Sequence, residues 1–186
     1  MAQAQASVMP GAGWAWLSLP PALLPLLAPW GASAAAWRFE PQAAAPNWQW
    51  WTASWVHADW RHAALNAAAL LLLSWLAGPR RGGQLLLLAA CLPFLLSWQQ
   101  WLLPDALPYL GASGVAYGWW AALAWWDWRE RRGWLFAALL ALRLAWQGLW
   151  PQSGSHGEPV LWSAHVGGAA FALLLLWLAE GRRGRQ

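Results

Sequence analysis

The chain has 186 residues, of which 60% are hydrophobic and only 10% are charged. An average soluble domain has roughly 25% charged residues, so this composition excludes an ordinary soluble protein and predicts an all-α, polytopic membrane protein. The formal net charge of +4 results from eleven basic residues, all of them arginine, and seven acidic residues. The positions of the arginines between apolar runs predict membrane topology and no nucleic-acid partner.

Six apolar runs recur along the chain, and each approaches the ~20 residues that a helix needs to cross ~30 Å of hydrocarbon. We therefore predict six transmembrane helices in a single domain of residues 1–186, with no room for a separate soluble domain. The predicted helices cover about residues 14–36, 60–77, 84–103, 111–127, 133–150 and 160–179.

The first run is interrupted by prolines and ends in "GASAAA", which resembles a signal-peptidase site. The prolines are Pro20, Pro21, Pro25 and Pro29. No Lys or Arg precedes the run, and residues 14–36 are longer than the apolar region of a usual signal peptide. We predict a kinked helix that is retained in the mature protein, with a cleaved signal peptide as the alternative.

Ionisable and amide side chains are costly inside a membrane, so each one within a run is a candidate functional residue. In the second run His62 and Asn66 are spaced i, i+4 and share a helix face. A structural hydrogen bond between helices explains this pair about as well as a catalytic role does. His57, just before the run, and His156, in a later loop, are predicted to be surface residues.

The fourth run opens with "GASGVAYG", in which Ser113 stands between glycines and Tyr117 follows four residues later. Two interpretations are open for this motif. Gly111, Ser113, Gly114 and Gly118 permit close approach of another helix, and Ser113 is also a candidate nucleophile.

Polar residues also interrupt three other runs. The third run holds Gln99 and Gln100, and the sixth holds His165 ahead of two glycines. The fifth run holds Arg143 and Gln147, and Arg143 is expensive there unless it snorkels or finds a polar partner.

Three of these residues, His62, Ser113 and His165, lie near the same end of their predicted helices. At ~1.5 Å per residue, all three fall within roughly 10 Å of one membrane face. A hydroxyl and an imidazole at one depth meet the first demand of nucleophilic catalysis. Because the second, fourth and sixth runs carry no Asp or Glu at this depth, we predict a Ser–His dyad without an acid.

Arginines cluster after the second, fourth and sixth runs, at positions 80, 81, 129, 131, 132, 182, 183 and 185. The positive-inside rule places these helix ends, and therefore both termini, in the cytoplasm. The candidate site then faces the extracytoplasmic side. Most of the 22 tryptophans fall near predicted helix ends, where aromatic rings anchor at the headgroups; these include Trp37, Trp48, Trp60, Trp101, Trp128, Trp134, Trp150, Trp162 and Trp177.

Three motifs together resemble the rhomboid family of intramembrane serine proteases. They are "HADWRHAALN" at residues 57–66, "GASGVAYG" at 111–118 and "AHVGG" at 164–168. The resemblance covers about residues 14–180 and implies a six-helix core, with Ser113 as the nucleophile and His165 as the base.

The same resemblance implies supporting roles for other residues of the motifs. His62 and Asn66 correspond to the pair that supports the oxyanion. Gly111 and Gly114 flank the nucleophile and belong to the same oxyanion-supporting group. Tyr117 corresponds to the tyrosine that packs on the base. The implied reaction uses neither a metal nor a cofactor.

The "LGASGV" and "H-x-D-W-x-H" sequences are similar to those of the rhombosortase subfamily. That similarity implies a bacterial inner-membrane enzyme that processes exported proteins carrying a C-terminal Gly-Gly, transmembrane and basic tail. The alternative is a non-catalytic rhomboid-like protein that binds transmembrane helices, although such relatives generally lack the Ser or the His. A transporter would carry ionisable residues through both leaflets, whereas here, apart from Arg143, they cluster at one side.

Overall fold

A computed structural model describes residues 17–42, 46–154 and 159–183 of the chain. The first residues of the predicted helix 14–36, and His156, lie outside these ranges. Within them the regular structure is helical, with three isolated bridges and no β-strand. The predicted all-α class is confirmed.

Seven α-helices follow one another in the described ranges. They are α1 (Leu19–Leu27), α2 (Gln49–Thr52), α3 (Trp60–Ala77), α4 (Gly82–Leu102), α5 (Ser113–Trp126), α6 (Arg131–Leu149) and α7 (Trp162–Arg183). Short 3₁₀ helices occupy Gly31–Trp37 and Pro79–Arg81. Helices α3 to α7 coincide with the second to sixth apolar runs, with ends that differ by no more than a few residues.

Two helical segments of the described chain are long and apolar enough to cross a membrane, Pro79–Leu102 and Trp162–Gly181. This is fewer than the six predicted spans. Helix α5 has 14 residues, which at 1.5 Å per residue is shorter than the hydrocarbon thickness, and α6 carries three arginines within its 19 residues. Length and charge therefore set α5 and α6 apart from these two segments.

The predicted kinked helix over residues 14–36 is wrong within the described part of the chain. Helix α1 has only nine residues and stops before Ala28, whose backbone is extended because Pro29 follows it. A 3₁₀ helix then runs over Gly31–Trp37, starting at a glycine with a φ of 65°. The prolines end the α-helix, whereas the sequence predicts only a kink.

Helix α5 forms the centre of the bundle and packs against α3, α4, α6 and α7. Its buried face contributes Trp119 and Leu123 to a core that also contains Leu70, Leu85 and Leu92. Large apolar side chains also cover the outer surface of the bundle, as expected of a protein in contact with lipid. All nine tryptophans named above as headgroup anchors are exposed, from 39% for Trp37 to 69% for Trp134.

Helices α5 and α7 approach each other through glycines. A Cβ atom on Gly168 would overlap the carbonyl oxygen of Gly114, and one on Gly118 would lie 2.9 Å from the carbonyl oxygen of Gly168. Glycine is thus required for the backbones to meet, as in small-residue contacts of membrane helices. The packing interpretation of the fourth run is correct for Gly114 and Gly118, beside any role of Ser113.

The bundle has two distinct ends. At one end the first turns of α3, α5 and α7 meet, because His62 lies beside Gly111 and Ser113 is bonded to His165. At the other end the Arg81 guanidinium lies over the Trp126 ring, with 4.8 Å between the guanidinium carbon and the ring centroid. The polar residues of the predicted site therefore share one end, opposite the arginine at the end of α3.

Candidate active site

Ser113 and His165 form a direct side-chain hydrogen bond. Ser113 is the first residue of α5 and His165 lies in the first turn of α7, so the approach of the two helix starts brings them together. The Ser113 Oγ atom lies 2.8 Å from the His165 Nε2 atom, and His165 is only 3% exposed. This is the distance required between a nucleophile and its general base.

The loop that leads into Ser113 depends on glycine at position 111. Gly111 has a φ of 118°, a conformation that L side chains rarely adopt. A Cβ atom at this position would also lie 2.9 Å from the His62 imidazole. The bare backbone of Gly111 thus lets the chain pass close to His62 immediately before the serine.

His57 contacts the backbone of the same loop. Its prediction as a surface residue is wrong. The residue is fully buried, at 0% exposure, and its Nε2 atom accepts a hydrogen bond from the Ala112 N–H at 3.3 Å. Burial, together with the charge of nearby His62, lowers the pKa of His57 to about 3. The ring is therefore neutral at ordinary pH, as an acceptor nitrogen must be.

His62 and Asn66 both border the Ser113 loop, but at different depths. The Asp59 side chain caps α3 and accepts the His62 N–H at 2.8 Å, which fixes the first turn of the helix. His62 lines the cavity above Ser113. Asn66, one turn further along α3, donates its Nδ2–H to the His62 carbonyl at 3.1 Å, so one of its two amide protons is used within the helix.

Tyr117 packs on the base. Its ring stacks on the His165 imidazole with 4.2 Å between centroids and an interplanar angle of 6°. The tyrosine hydroxyl donates to the Gln147 Oε1 atom at 3.0 Å. The contact is the one that the resemblance implies for this residue.

Gln147 of α6 is a site residue to which the sequence assigns no role. Its Oε1 atom lies 2.9 Å from the His165 Nδ1 atom, and the residue is 5% exposed. The polar side chain within an apolar run is a signal, but the neighbour of α6 cannot be read from the sequence. Arg143, one turn earlier, finds a polar partner in the Gln152 Oε1 atom at 3.1 Å.

Gln99 and Gln100, in contrast, join helices away from the reacting atoms. Gln99 donates to the Ser163 carbonyl and Gln100 to the Ser163 hydroxyl, each at 3.0 Å. These bonds tie α4 to the start of α7. Their effect is structural, because they bond to Ser163 and not to the side chains of Ser113 or His165.

A cavity of about 650 Å³ opens over the serine. Ser113, His62 and His165 lie on its wall, and the Arg38 and Arg61 side chains border it. The rest of the wall is largely apolar and includes Leu65, Leu96, Leu107, Val160 and Leu161. A mostly apolar cavity with a few convergent polar groups is the usual form of a binding or active site.

Comparison with known families gives one finding and one negative result. The family model described as "Rhomboid domain" matches residues 45–182, which include all three motifs and helices α2 to α6 in full. A search of curated proteins finds no match.

Proposed function

The chain belongs to the rhomboid family of intramembrane serine proteases, and we propose that it is an active protease that uses Ser113 and His165. Proteases of this family act on membrane-protein substrates within the lipid bilayer. The observation that carries the proposal is the 2.8 Å contact between the Ser113 Oγ and His165 Nε2 atoms. Non-catalytic relatives that bind transmembrane helices generally lack the serine or the histidine, and this chain has both.

The proposed reaction proceeds in two halves. The Ser113 oxygen attacks the scissile carbonyl carbon while His165 Nε2 accepts the hydroxyl proton, and His165 then gives that proton to the leaving amine. The resulting ester on Ser113 is cleaved by water, whose proton passes to His165 and back to the serine oxygen. The original serine proton leaves with the amine and water supplies the proton that restores Ser113, so both side chains regain their starting protonation, and no metal or cofactor takes part.

The charge on the tetrahedral intermediate has two nearby sources of stabilisation. Ser113 begins α5, where backbone N–H groups lack helical partners and the helix dipole favours negative charge. His62 borders the cavity from α3 and supplies a side-chain donor. We propose that these groups hold the oxyanion, with Asn66 supporting His62 from the next turn.

The proposed substrates are exported proteins with a Gly-Gly pair just outside a C-terminal transmembrane segment and a basic tail. A carbonyl inside a helix is hydrogen-bonded and shielded, so the scissile bond must leave its helix before attack. Each glycine is roughly 1 kcal/mol poorer than alanine as a helix former, which makes this unwinding easier. The apolar wall of the cavity suits the end of such a segment.

A set of matched tails tests the substrate proposal. The protein is co-expressed with a reporter that ends in a Gly-Gly, apolar and Arg-rich tail, or in the same tail with Ala-Ala or Leu-Leu. We expect mass spectrometry to find the Gly-Gly reporter trimmed at or beside the glycines only when Ser113 is present. Equal cleavage of all three tails would contradict the Gly-Gly preference and leave a general rhomboid protease.

We further propose that the protein lies in a bacterial inner membrane with both termini in the cytoplasm. The arginines at or just beyond the ends of α3, α5 and α7 support this orientation through the positive-inside rule. Topology reporters fused at Gly83 and Gln186 should then behave as cytoplasmic, and one fused at Ser155 as extracytoplasmic. A reporter at Gln186 that is active outside the cytoplasm would overturn the proposal.

A further inference from the structure

Gln147 contacts the ring nitrogen of His165 that faces away from the serine. Its Oε1 atom lies 2.9 Å from the His165 Nδ1 atom and also accepts the Tyr117 hydroxyl at 3.0 Å. The three groups come from α6, α7 and α5. The two ring nitrogens of His165 thus contact Ser113 on one side and Gln147 on the other, and neither partner is an acid.

The chemistry of an amide oxygen fixes the direction of these bonds. A carbonyl oxygen accepts and cannot donate, so His165 can bond to it only with a proton on Nδ1. A neutral imidazole carries one proton, and therefore its Nε2 atom presents a lone pair to the Ser113 hydroxyl. The opposite tautomer would set two lone pairs against each other at Gln147 and leave no acceptor for the serine proton.

The Tyr117 hydroxyl gives a reason for the amide oxygen, and not the amide nitrogen, to face the histidine. It donates its proton to Gln147 Oε1 at 3.0 Å. A carbonyl oxygen has two lone pairs, so the same atom can accept both the Tyr117 O–H and the His165 Nδ1–H.

We propose that Gln147 is a positioning residue, which selects the Nδ1–H tautomer of His165 and holds Nε2 ready to accept the Ser113 proton. This inference rests on the proposed function and adds a neutral third member to the Ser–His pair. The free-energy difference that Gln147 must supply is modest, because it only has to favour one neutral tautomer of His165 over the other and need not stabilise a buried ion pair.

Kinetics with matched variants test the proposal. Gln147→Leu and Gln147→Met remove the acceptor at similar size, and each should lower kcat by about 10- to 100-fold with KM nearly unchanged, since a buried partner loses its bond. Gln147→Glu keeps an acceptor oxygen and should retain kcat within a few-fold of wild type. Having both apolar variants allows the test to proceed if one of them does not fold.

Gln100→Leu is the matched control. Gln100 is as deeply buried, at 1% exposure, and is also bonded to α7, through Ser163, but it does not contact the imidazole. We expect this variant to lose thermal stability and keep kcat. An equal fall of kcat in the Gln100 and Gln147 variants, or an unchanged kcat in both apolar Gln147 variants, would overturn the proposal.

The tautomer itself is visible by ¹⁵N NMR of histidine-labelled protein, and this measurement does not require activity. His165 should carry its proton on Nδ1 in the wild type, and Gln147→Leu or Gln147→Met should produce a mixture of tautomers. The same ¹⁵N shifts in the wild type and these variants would contradict the role of Gln147. If the tautomer changes as expected while no reporter is cleaved in a Ser113-dependent way, the proposed protease function fails and the positioning of the ring by Gln147 stands.

Discussion

Ser113→Ala and His165→Ala are each expected to lower cleavage of a membrane-anchored reporter by about 10³-fold or more. The alanine at 113 removes the attacking oxygen, and the alanine at 165 removes the atom that accepts its proton at 2.8 Å. Neither substitution disturbs the glycine contacts by which α5 and α7 pack. Cleavage is measured by gel shift and mass spectrometry, and membrane insertion by carbonate extraction of the membrane fraction.

The controls for this prediction separate chemistry from folding. Ser33→Ala removes an exposed hydroxyl whose bond goes to the Trp30 carbonyl, and it should cleave at the wild-type rate. A serine-hydrolase activity probe should label the wild type and Ser33→Ala but not Ser113→Ala. Wild-type cleavage by either the Ser113 or the His165 variant would rule out the dyad.

The sequence located most of the helices because lipid contact imposes long apolar runs. Helix α3 spans Trp60–Ala77, the same residues as the second predicted run, and α4 to α7 also follow their runs. The prediction of a helix from an apolar run fails only for the first run. There a proline after Ala28 ends α1, and apolar composition alone does not reveal that the next residues form a 3₁₀ helix.

The residues of the candidate site also fall into two groups, those that could be assigned from the sequence and those that could not. Ser113 and His165 could be paired from the sequence because each stands at the start of its helix, and alternating helices in a membrane start at the same face. His57 and Gln147 could not be assigned in this way. Their partners, the Ala112 N–H and the His165 ring, lie on segments whose approach depends on how loops and helices pack, and no periodicity in the sequence records that packing.

The buried state of His57 adds a constraint on the loop before Ser113. A histidine whose pKa is lowered to about 3, mainly by burial, stays neutral at ordinary pH, so its Nε2 atom remains an acceptor for the Ala112 N–H. The backbone that presents Ser113 is therefore held by a side chain that is uncharged at ordinary pH.

His62→Ala is expected to lower kcat by about 10²- to 10³-fold, the usual loss when one oxyanion donor is removed. KM should change little, because the oxyanion exists only after attack and a donor to it contributes to the transition state. His62→Gln retains an N–H donor on a side chain of similar reach and should recover part of the loss. The measurement is kcat and KM for a tail peptide cleaved by purified protein in detergent.

The Asn66→Ala variant tests whether Asn66 donates to the oxyanion or only supports His62 structurally. Asn66 lies one turn behind His62 and already donates one amide proton to the His62 carbonyl, while His62 lines the cavity itself. We therefore expect Asn66→Ala to lower kcat by less than His62→Ala does and to reduce thermal stability more, since Asn66 is the more buried of the two. A larger kcat loss in Asn66→Ala, with thermal stability unchanged, would assign the main oxyanion donor to Asn66 instead. The reason is that removal of a side chain that acts only through helix packing should lower thermal stability as well as kcat.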